Sequence, residues 1–388
     1  MKIKNRHIER WMLSGIWMLF LLLTACGSSS TEEEPQTPQK PKEKSVLKIY
    51  LFAPESPIIT RANTGSVDAV AAEKEIHTID VWVFEHESPN KKVSYIHLND
   101  VSFSGQKVIT MDISDEFANL AQKPRVDIYV AANKESCGLN ALDGNTTLTQ
   151  LKEACIGSAN FGINPLQSEV LTTGLPMSGL LENQIISGIA PVYTATDNNV
   201  KLVRAVSKVQ FVFSKSTNGA PTITNLSISL DANVLPKQEY LFLEGVYPTY
   251  KSHVKLTGTD DYETAATLVQ NNAPDIKSCD DPAAYIYTSE TGQAYEDKIN
   301  TGISENKLSR LGQFYSRESD SQLTGTISYT IGTTNKSKPF TMAAAGDFTR
   351  NHTWIVYGYF LGSGELILNI VNVKDWTTDS ENPEVYNW

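Results

Sequence analysis

The sequence predicts an all-β protein built from antiparallel β-sandwiches, and the period of its apolar residues is the main reason. Apolar side chains recur at every second position in residues 79–84, 126–130, 203–213 and 226–230. The segments between such strands, for example 140–145, are rich in turn-forming residues. Short connections of this kind suit antiparallel strands better than βαβ units, whose crossovers need longer helices.

Helical patterning is confined to a few short pieces. Residues 114–122 and 148–154 carry it, and Asp115 or Thr147 would serve as an N-cap. The predicted class is therefore mainly β.

The charge of the chain argues against a nucleic-acid partner. The 388 residues include 44 acidic and 33 basic side chains, which gives a net charge of −11. No basic run follows the N-terminal segment. A protein that binds a phosphate backbone needs a basic surface, and this sequence does not predict one.

The N-terminus has the pattern of a lipoprotein signal, which we place at residues 1–26. Basic residues precede an apolar stretch at 11–23, which is too short to span a bilayer as a mature helix. The stretch ends in Leu23, Thr24, Ala25 and Cys26, a processing motif in which Cys26 becomes the acylated N-terminus. We therefore predict export and attachment to outer-membrane lipid through Cys26.

The rest of the chain divides into a tether and two predicted domains. Residues 27–44 are mostly Ser, Thr, Glu, Pro, Gln and Lys, a composition typical of a solvated linker. About 340 residues follow, a length that suggests two domains. The polar run at 196–199 separates two strand-rich segments. We predict one β-sandwich domain at 62–199 and a second at 200–388.

Three cysteines remain once Cys26 carries lipid, and an odd number cannot all pair within one chain. A disulfide between Cys137 and Cys155 is compatible with an exported protein, and free thiols are the alternative. Neither a CxxC motif nor a Cys/His ligand spacing occurs, so we expect no metal centre. Calcium binding by Asp260 and Asp261, or by Asp280 and Asp281, is a minor alternative, because acidic pairs in loops are usually solvated.

The sequence contains no catalytic motif that we can identify. The GxSxG, P-loop, HExxH and GxGxxG patterns are absent, and the six histidines show no ligand-like pairing. A glycosidase would need two opposed carboxylates, and no pair stands out among the acidic residues. We expect a protein that is not an enzyme and that uses no cofactor.

A second processing event is suggested by the residues after the tether. Residues 46–52 (VLKIYLF) predict a strand, and the breaker-rich stretch at 53–65 contains the solitary Arg61. Cleavage after Arg61 would remove the lipid, the tether and this strand together, so we treat 27–61 as a propeptide. Its removal would open an apolar groove with unpaired backbone groups, which favours addition of a complementary strand.

A complementary strand is available at the C-terminal end. Residues 365–376 (ELILNIVNVKDW) form a long apolar segment, and an ordinary final strand of the second domain is the alternative interpretation. The predicted donor residues are Leu366, Ile367, Leu368, Ile370, Val371, Val373 and Trp376.

Several local patterns, in this order along the chain, resemble those of the fimbrillins, the type V pilins of Bacteroidia. They are the motif ending at Cys26 and residues 79–84 (IDVWVF), 126–133 (VDIYVAAN), 175–179 (LPMSG), 201–211 (KLVRAVSKVQF), 348–354 (FTRNHTW) and 373–376 (VKDW), with the final Trp388. Each pattern is weak alone, but their order extends over nearly the whole chain.

The resemblance implies two transthyretin-like β-sandwich domains, cleavage by an arginine-specific protease with Ala62 as the new N-terminus, and polymerisation by strand exchange. It implies that the partners are other copies of this chain and related fimbrial subunits, with host or bacterial receptors beyond them. The family divides into stalk, anchor and tip subunits, and the residues around Arg61 together with the long C-terminal strand favour a stalk subunit. A tip adhesin of the same family and a surface glycan-binding lipoprotein are the alternatives.

Overall fold

The computed structural model describes residues 44–53, 73–87, 89–103, 105–118, 124–157, 174–219, 221–246, 249–250, 253–258, 260–286 and 292–373. Strands β1 to β9 are Val46–Phe52, Ile79–Glu85, Lys92–Leu98, Gln106–Asp112, Arg125–Ala132, Cys155–Gly157, Met177–Ile189, Val192–Lys201 and Val203–Arg204. Strands β10 to β21 are Ser207–Ser216, Ile223–Leu230, Gln238–Tyr240, Gly245–Val246, Thr249–Tyr250, Ala266–Asn271, Ser278–Cys279, Ser309–Ser316, Leu323–Ile331, Thr334–Ala343, Thr353–Phe360 and Leu366–Val373. Helices α1 to α4 are Asp115–Ala118, Leu148–Lys152, Ala283–Ile286 and Gly292–Ser304, and Lys134–Cys137 is a 3₁₀ turn.

The N-terminal strands form one sheet that folds around its own core. Its order is β3-β2-β5-β7-β8-β1-β4, and β9 pairs with β7. Neighbouring strands are antiparallel except β8 and β1, which run parallel. Strands from both halves of the sheet contribute buried residues to the same core, including Ile49, Val83, Ile109 and Val200.

The C-terminal strands form two facing sheets, with the orders β16-β10-β20-β21 and β15-β11-β18-β19. Strand β17 pairs with β10 on the first of them. Aromatic side chains fill the space between the two sheets: Phe211 meets Phe314 and Phe340 edge to face, and Phe213 stacks on Phe360. The prediction of an all-β sandwich fold with few helices is confirmed.

The predicted domain boundary at 199/200 stays a prediction, and it falls within strand β8. The polar run 196–199 lies inside β8, where a register shift interrupts the pairing with β1. After this irregularity Asn199, Val200 and Lys201 pair with β1 again, and β9 still belongs to the first sheet. The run is therefore a bulge in a strand, which one sequence cannot distinguish from a linker because both favour polar residues.

The N-terminal sheet and the C-terminal sheet that contains β10 and β20 each bury a second face, on the side away from the sandwich core. Strands β2, β10 and β20 are buried along almost their whole length, on both faces. The outer face of β2 and β5 packs, through Trp82, against Leu151 of α2. On the C-terminal sheet, Tyr357 of β20 packs against Tyr295 of α4. This double cover explains why apolar residues occupy adjacent positions in these strands.

Of the two predicted N-caps, Thr147 forms and Asp115 does not. Thr147 caps α2: its side chain accepts from the Gln150 N–H, and the Gln150 side chain accepts from the Thr147 N–H in a capping box. Asp115 does not cap α1. The Ser114 hydroxyl accepts from the Phe117 N–H instead, and the Asp115 carboxylate accepts from the Ser45 hydroxyl, which precedes β1.

Helix α4, with 13 residues, was not predicted from the sequence. Its buried apolar residues are Tyr295 and Ile299, one turn apart, and Glu296 between them is also buried. A stripe this narrow gives only a weak helical period. The helix is positioned by the sheet face that it covers.

The candidate Cys137–Cys155 disulfide is not formed. Both residues are free thiols, as is Cys279. The Cys137 thiol is buried in the 3₁₀ turn and donates to Lys134 O, whereas the Cys155 thiol donates to Glu153 O beside β6. Burial raises the pKa of Cys137 to about 12 and that of Cys155 to about 11, so neither thiol supplies much thiolate.

Arg350, in the segment 348–354, forms a buried ion pair with Glu318. Glu318 Oε2 accepts from Arg350 Nε at 2.8 Å, and its Oε1 accepts from the Arg350 N–H and lies 2.8 Å from His253 Nδ1. Burial alone would raise the pKa of Glu318, but Arg350 and His253 lower it to about 2. The neighbouring Glu239 has its pKa raised to about 8, chiefly by burial, so at neutral pH the two carboxyls carry about one negative charge.

We predict that Glu318→Gln destabilises the protein by about 3–5 kcal/mol at pH 7, because it leaves the buried Arg350 charge uncompensated. The Glu318 pKa lies below its ordinary 4.5 in the folded state, so its contribution is present above pH 4.5 and is lost as the pH falls towards 2. Urea unfolding followed by tryptophan fluorescence between pH 2 and 7 measures both effects. The exposed Glu365→Gln is the control, and equal acid sensitivity in wild type and Glu318→Gln would contradict the prediction.

Candidate functional site: the slot occupied by β1

Strand β1 is an interior strand of the N-terminal sheet, with β4 on one side and β8 on the other, and its inward face is fully buried. Leu47, Ile49 and Leu51 are each 0% exposed. They point into the core that also holds Ile109 of β4 and Val200 of β8. Burying three such side chains stabilises the fold by on the order of 5–9 kcal/mol in total. We call the space that β1 fills between β4 and β8 the slot.

The slot has a complete backbone ladder on both sides. All seven residues of β1 pair with β4, and six of them pair with β8. The ladder continues past both ends: the Val46 N–H donates to Pro191 O at 2.8 Å, and the Ala53 N–H donates to Gly105 O at 2.9 Å. Removal of β1 would therefore turn β4 and β8 into open edges beside an exposed core.

The predicted processing residues lie outside the described residues. Cys26, Arg61 and Ala62 belong to this group, and the predicted donor residue Trp376 also lies outside the described residues. The described chain leaves the slot at Ala53 and resumes at Glu73, so Arg61 falls in the segment that connects β1 to the rest of the protein.

The chain is firmly held just after that connecting segment. The Glu73 carboxylate is buried and lies 3.0 Å from Lys208 Nζ of β10, and it also accepts from the Tyr315 hydroxyl of β17. Arg204 Nε donates to Glu73 O at 3.0 Å. Lys208 is shared with Glu296 of α4 at 3.2 Å. A cut between residues 53 and 73 would thus leave the downstream chain anchored to the C-terminal sheets.

The predicted donor strand packs within its own chain. Strand β21 pairs along all eight residues with β20 and has no second strand neighbour in the described sheet. Leu366 is buried, whereas Leu368 and Ile370 are only partly buried against the same core. On the other face Asn369 Nδ2 donates to Tyr285 O and to the Tyr295 hydroxyl. The sequence did not reveal that β21 is an edge strand.

One cluster of polar side chains has the spacing of metal ligands. Asp80, His97 and Glu135 place ligand atoms within 4.8 Å of one another, but Lys134 Nζ lies 3.3 Å from Asp80 Oδ2 and 2.6 Å from Glu135 Oε1. The ammonium group already supplies the cation of this cluster.

The loop considered for calcium is filled by the chain's own donors. The Asp261 carboxylate accepts from the backbone of Thr257 and Gly258, and Asp260 pairs with Lys237.

A pocket of about 450 Å³ opens at one end of the first sheet, beside α2. Phe84 and Leu148 supply apolar wall, and the facing pair His86 Nδ1 and Asp127 Oδ1 are 2.7 Å apart. Its size and its mixture of apolar wall and polar groups suit a small polar ligand.

In the part of the chain that the structure describes, no helix combines the length and the apolar character needed to cross a membrane.

Comparison with known proteins gives a match at the level of the fold. No protein-family profile matches the sequence, and no curated protein matches it. Among solved structures, a candidate cell adhesion protein from Parabacteroides distasonis ATCC 8503 aligns with a TM-score of 0.52 at 14% identity, over 87% of this chain and 99% of its own. The chain has the fold of that protein. The likeness extends to the fold alone.

Two further matches have lower scores. A candidate cell adhesion protein from Bacteroides eggerthii DSM 20697 aligns with a TM-score of 0.47 at 14% identity, over 86% of this chain and 96% of its own. A fimbrilin from Porphyromonas gingivalis W83 aligns with a TM-score of 0.43 at 11% identity, over 85% of this chain and 97% of its own.

We predict that Ile49→Ala lowers the free energy of unfolding by about 2–5 kcal/mol, because it leaves a cavity in the slot. Lys48→Ala is the matched control, since Lys48 lies on the outward face of the same strand and is only partly buried. Urea unfolding of the full-length precursor measures both. Equal, small effects of the two substitutions would mean that β1 contributes little to the N-terminal core.

Proposed function

We propose that this chain is a structural subunit of a cell-surface fimbria. It is exported as a lipoprotein through Cys26, cut after Arg61, and polymerised when the C-terminal strand of one copy enters the slot left by β1 of the next. The observation that carries the proposal is the contrast between the two strands. Strand β1 lies between β4 and β8 with a fully buried inward face, while β21 is an edge strand with partly buried side chains.

The exchange improves the backbone pairing of the donor. In its own sheet β21 has a single ladder, with β20. The slot offers two ladders, one with β4 and one with β8. Each additional backbone hydrogen bond contributes a net of about 0.5–1.5 kcal/mol, so an edge strand gains stability by becoming a central one.

The apolar spacing of the donor fits the slot in one frame. Leu366, Leu368 and Ile370 repeat at every second residue, as do Leu47, Ile49 and Leu51 of β1. In this frame Asn369 points outward, whereas the alternative frame would bury its amide in an apolar core. The frame also converts the partial burial of Leu368 and Ile370 into full burial.

Such a contact joins two different surfaces, so it is head-to-tail and extends into a filament. The partners are then other copies of this chain and related fimbrial subunits, with host or bacterial receptors bound by the filament. The location is the cell surface, with a transient outer-membrane anchor before processing. The role is structural and not enzymatic.

The pocket beside α2 favours one second candidate, a subunit or lipoprotein that binds a glycan through this site. The polar side chains that line it, among them His86, Asn90 and Lys152, are groups that contact sugar hydroxyls. A glycan-binding lipoprotein would keep its Cys26 lipid, which separates it from a processed stalk subunit.

We expect subunits sheared from native cells to begin at Ala62 and to lack the Cys26 lipid, as measured by N-terminal sequencing and intact mass. Arg61→Ala should leave a lipidated, membrane-bound precursor and no filaments, because β1 remains covalently attached. Lipidated Cys26 in wild-type subunits would contradict the stalk assignment and favour the glycan-binding candidate.

We also expect Ile370→Thr to prevent assembly, because it places a hydroxyl in the apolar slot, while Ile367→Val, which keeps an apolar side chain on the outward face, should assemble. Electron microscopy and sedimentation of surface material measure this. The thermal stability of each precursor monomer is the control for folding, since Ile370 also packs in its own domain. Normal filaments from Ile370→Thr would exclude this strand as the donor.

A further inference from the structure

Helices α3 and α4 cover the face of the final strand that points away from the sandwich core. We call these two helices the cap. Their buried apolar residues belong to one cluster with Tyr357 of β20, and Val371 of β21 packs against it. Strand β21 therefore lies between the sandwich core on one side and the cap on the other. If this edge strand leaves its sheet, it must break its contacts with both.

One side chain of β21 is hydrogen-bonded to both helices of the cap. Asn369 Nδ2 donates to Tyr285 O of α3 at 3.0 Å and to the Tyr295 hydroxyl of α4 at 3.2 Å. The Tyr295 side chain is fully buried and Asn369 is partly buried, so water competes little for these bonds. We call the contacts of Asn369 with Tyr285 and Tyr295 the latch.

The cap has attachments of its own that do not involve β21. The Tyr285 ring packs on Tyr357 of β20, with centroids 5.7 Å apart. Glu296 Oε1 of α4 accepts from Gln210 Nε2 of β10 at 2.8 Å. The Tyr295 hydroxyl donates to Tyr285 O at 2.9 Å, which joins the two helices to each other. The cap is thus fastened to strands that stay in the sheet when β21 leaves it.

Asn369 loses the latch when its strand enters the slot of another copy. In the frame described for the exchange, Asn369 takes the position of Tyr50, whose neighbours Val108 and Asn199 are both exposed. Water satisfies the hydrogen bonds of an amide at such a position. The latch is therefore present in the closed subunit and absent from the joined one, and contacts that differ between two states set the equilibrium between them.

We propose that the cap is an autoinhibitory element that holds the final strand in its own domain until the strand is donated. This inference rests on the proposed strand exchange. The latch stabilises the closed subunit alone, so it opposes opening of β21 and slows its entry into another copy. A subunit with a weakened latch opens more often and assembles faster.

The test weakens the latch from each side, in full-length chains expressed in cells that process and assemble them. Asn369→Ala removes the donor, and Tyr295→Phe removes one acceptor while the final strand stays wild type. Each variant loses at least one hydrogen bond of the closed subunit, so we expect cut subunits to enter filaments about two- to tenfold faster. Sedimentation after a pulse of label follows the conversion of cut monomer into filament.

Tyr357→Phe is the matched control. It removes a buried hydroxyl from the same cluster, but that hydroxyl is hydrogen-bonded to Ser214 Oγ at 2.6 Å, between β20 and β10, which both stay in the sheet. Hydrogen exchange of the precursor monomer measures opening directly. The amides of β21 should exchange faster in both latch variants and not in the control, while the amides of β18 and β19 report global unfolding.

The outcomes separate this inference from the proposed function. Unchanged exchange of the β21 amides, or assembly no faster than wild type in the latch variants, overturns the role of the cap, and strand exchange stands if Ile370→Thr still does not assemble. Equal acceleration by Tyr357→Phe also overturns it, because general loosening would then be the cause. Normal assembly of Ile370→Thr would remove the donor assignment and the role of the cap with it.

Discussion

The fold depends above all on the burial of β1 between β4 and β8. Three fully buried aliphatic side chains and a ladder on each side make this short strand the link that completes the N-terminal core. The slot borders the apolar core and two rows of backbone donors and acceptors, on β4 and β8. Another β-strand can pair with both rows and cover the core at the same time. The same interaction therefore stabilises the precursor and defines what must replace β1 in an assembled form.

Buried polar contacts keep the chain downstream of Arg61 attached to the fold if β1 is removed. Glu73, with Lys208, Tyr315 and Arg204, fastens the chain downstream of Arg61 to the C-terminal sheets. Glu318 and Arg350 form a second buried ion pair. Removing one partner of such a pair costs several kcal/mol, so these contacts hold the chain after Glu73 in place.

Much of the fold was predictable from local pattern. The strands at 79–84, 126–130 and 226–230 follow from period-two alternation, and α2 follows from the Thr147 cap. Helix α4 was missed because its apolar stripe is narrow and depends on the sheet beneath it. The polar run at 196–199 suggests a domain boundary in the sequence, but it lies at a bulge in β8, because polar residues are favoured in both places. Of the two states left open for Cys137 and Cys155, the structure has free thiols, and spacing in sequence could not decide this because it does not fix the direction of two side chains.

The sequence by itself determined the β class, the alternating apolar residues of β1 and β21, and the charge that argues against nucleic acid. These properties are local, since each follows from side chains a few residues apart. Only the tertiary structure decided that β1 lies between two strands, that β21 is at an edge, and that Glu73 is a buried anchor. Strand order and burial depend on contacts between residues far apart in the chain, and no local pattern encodes them.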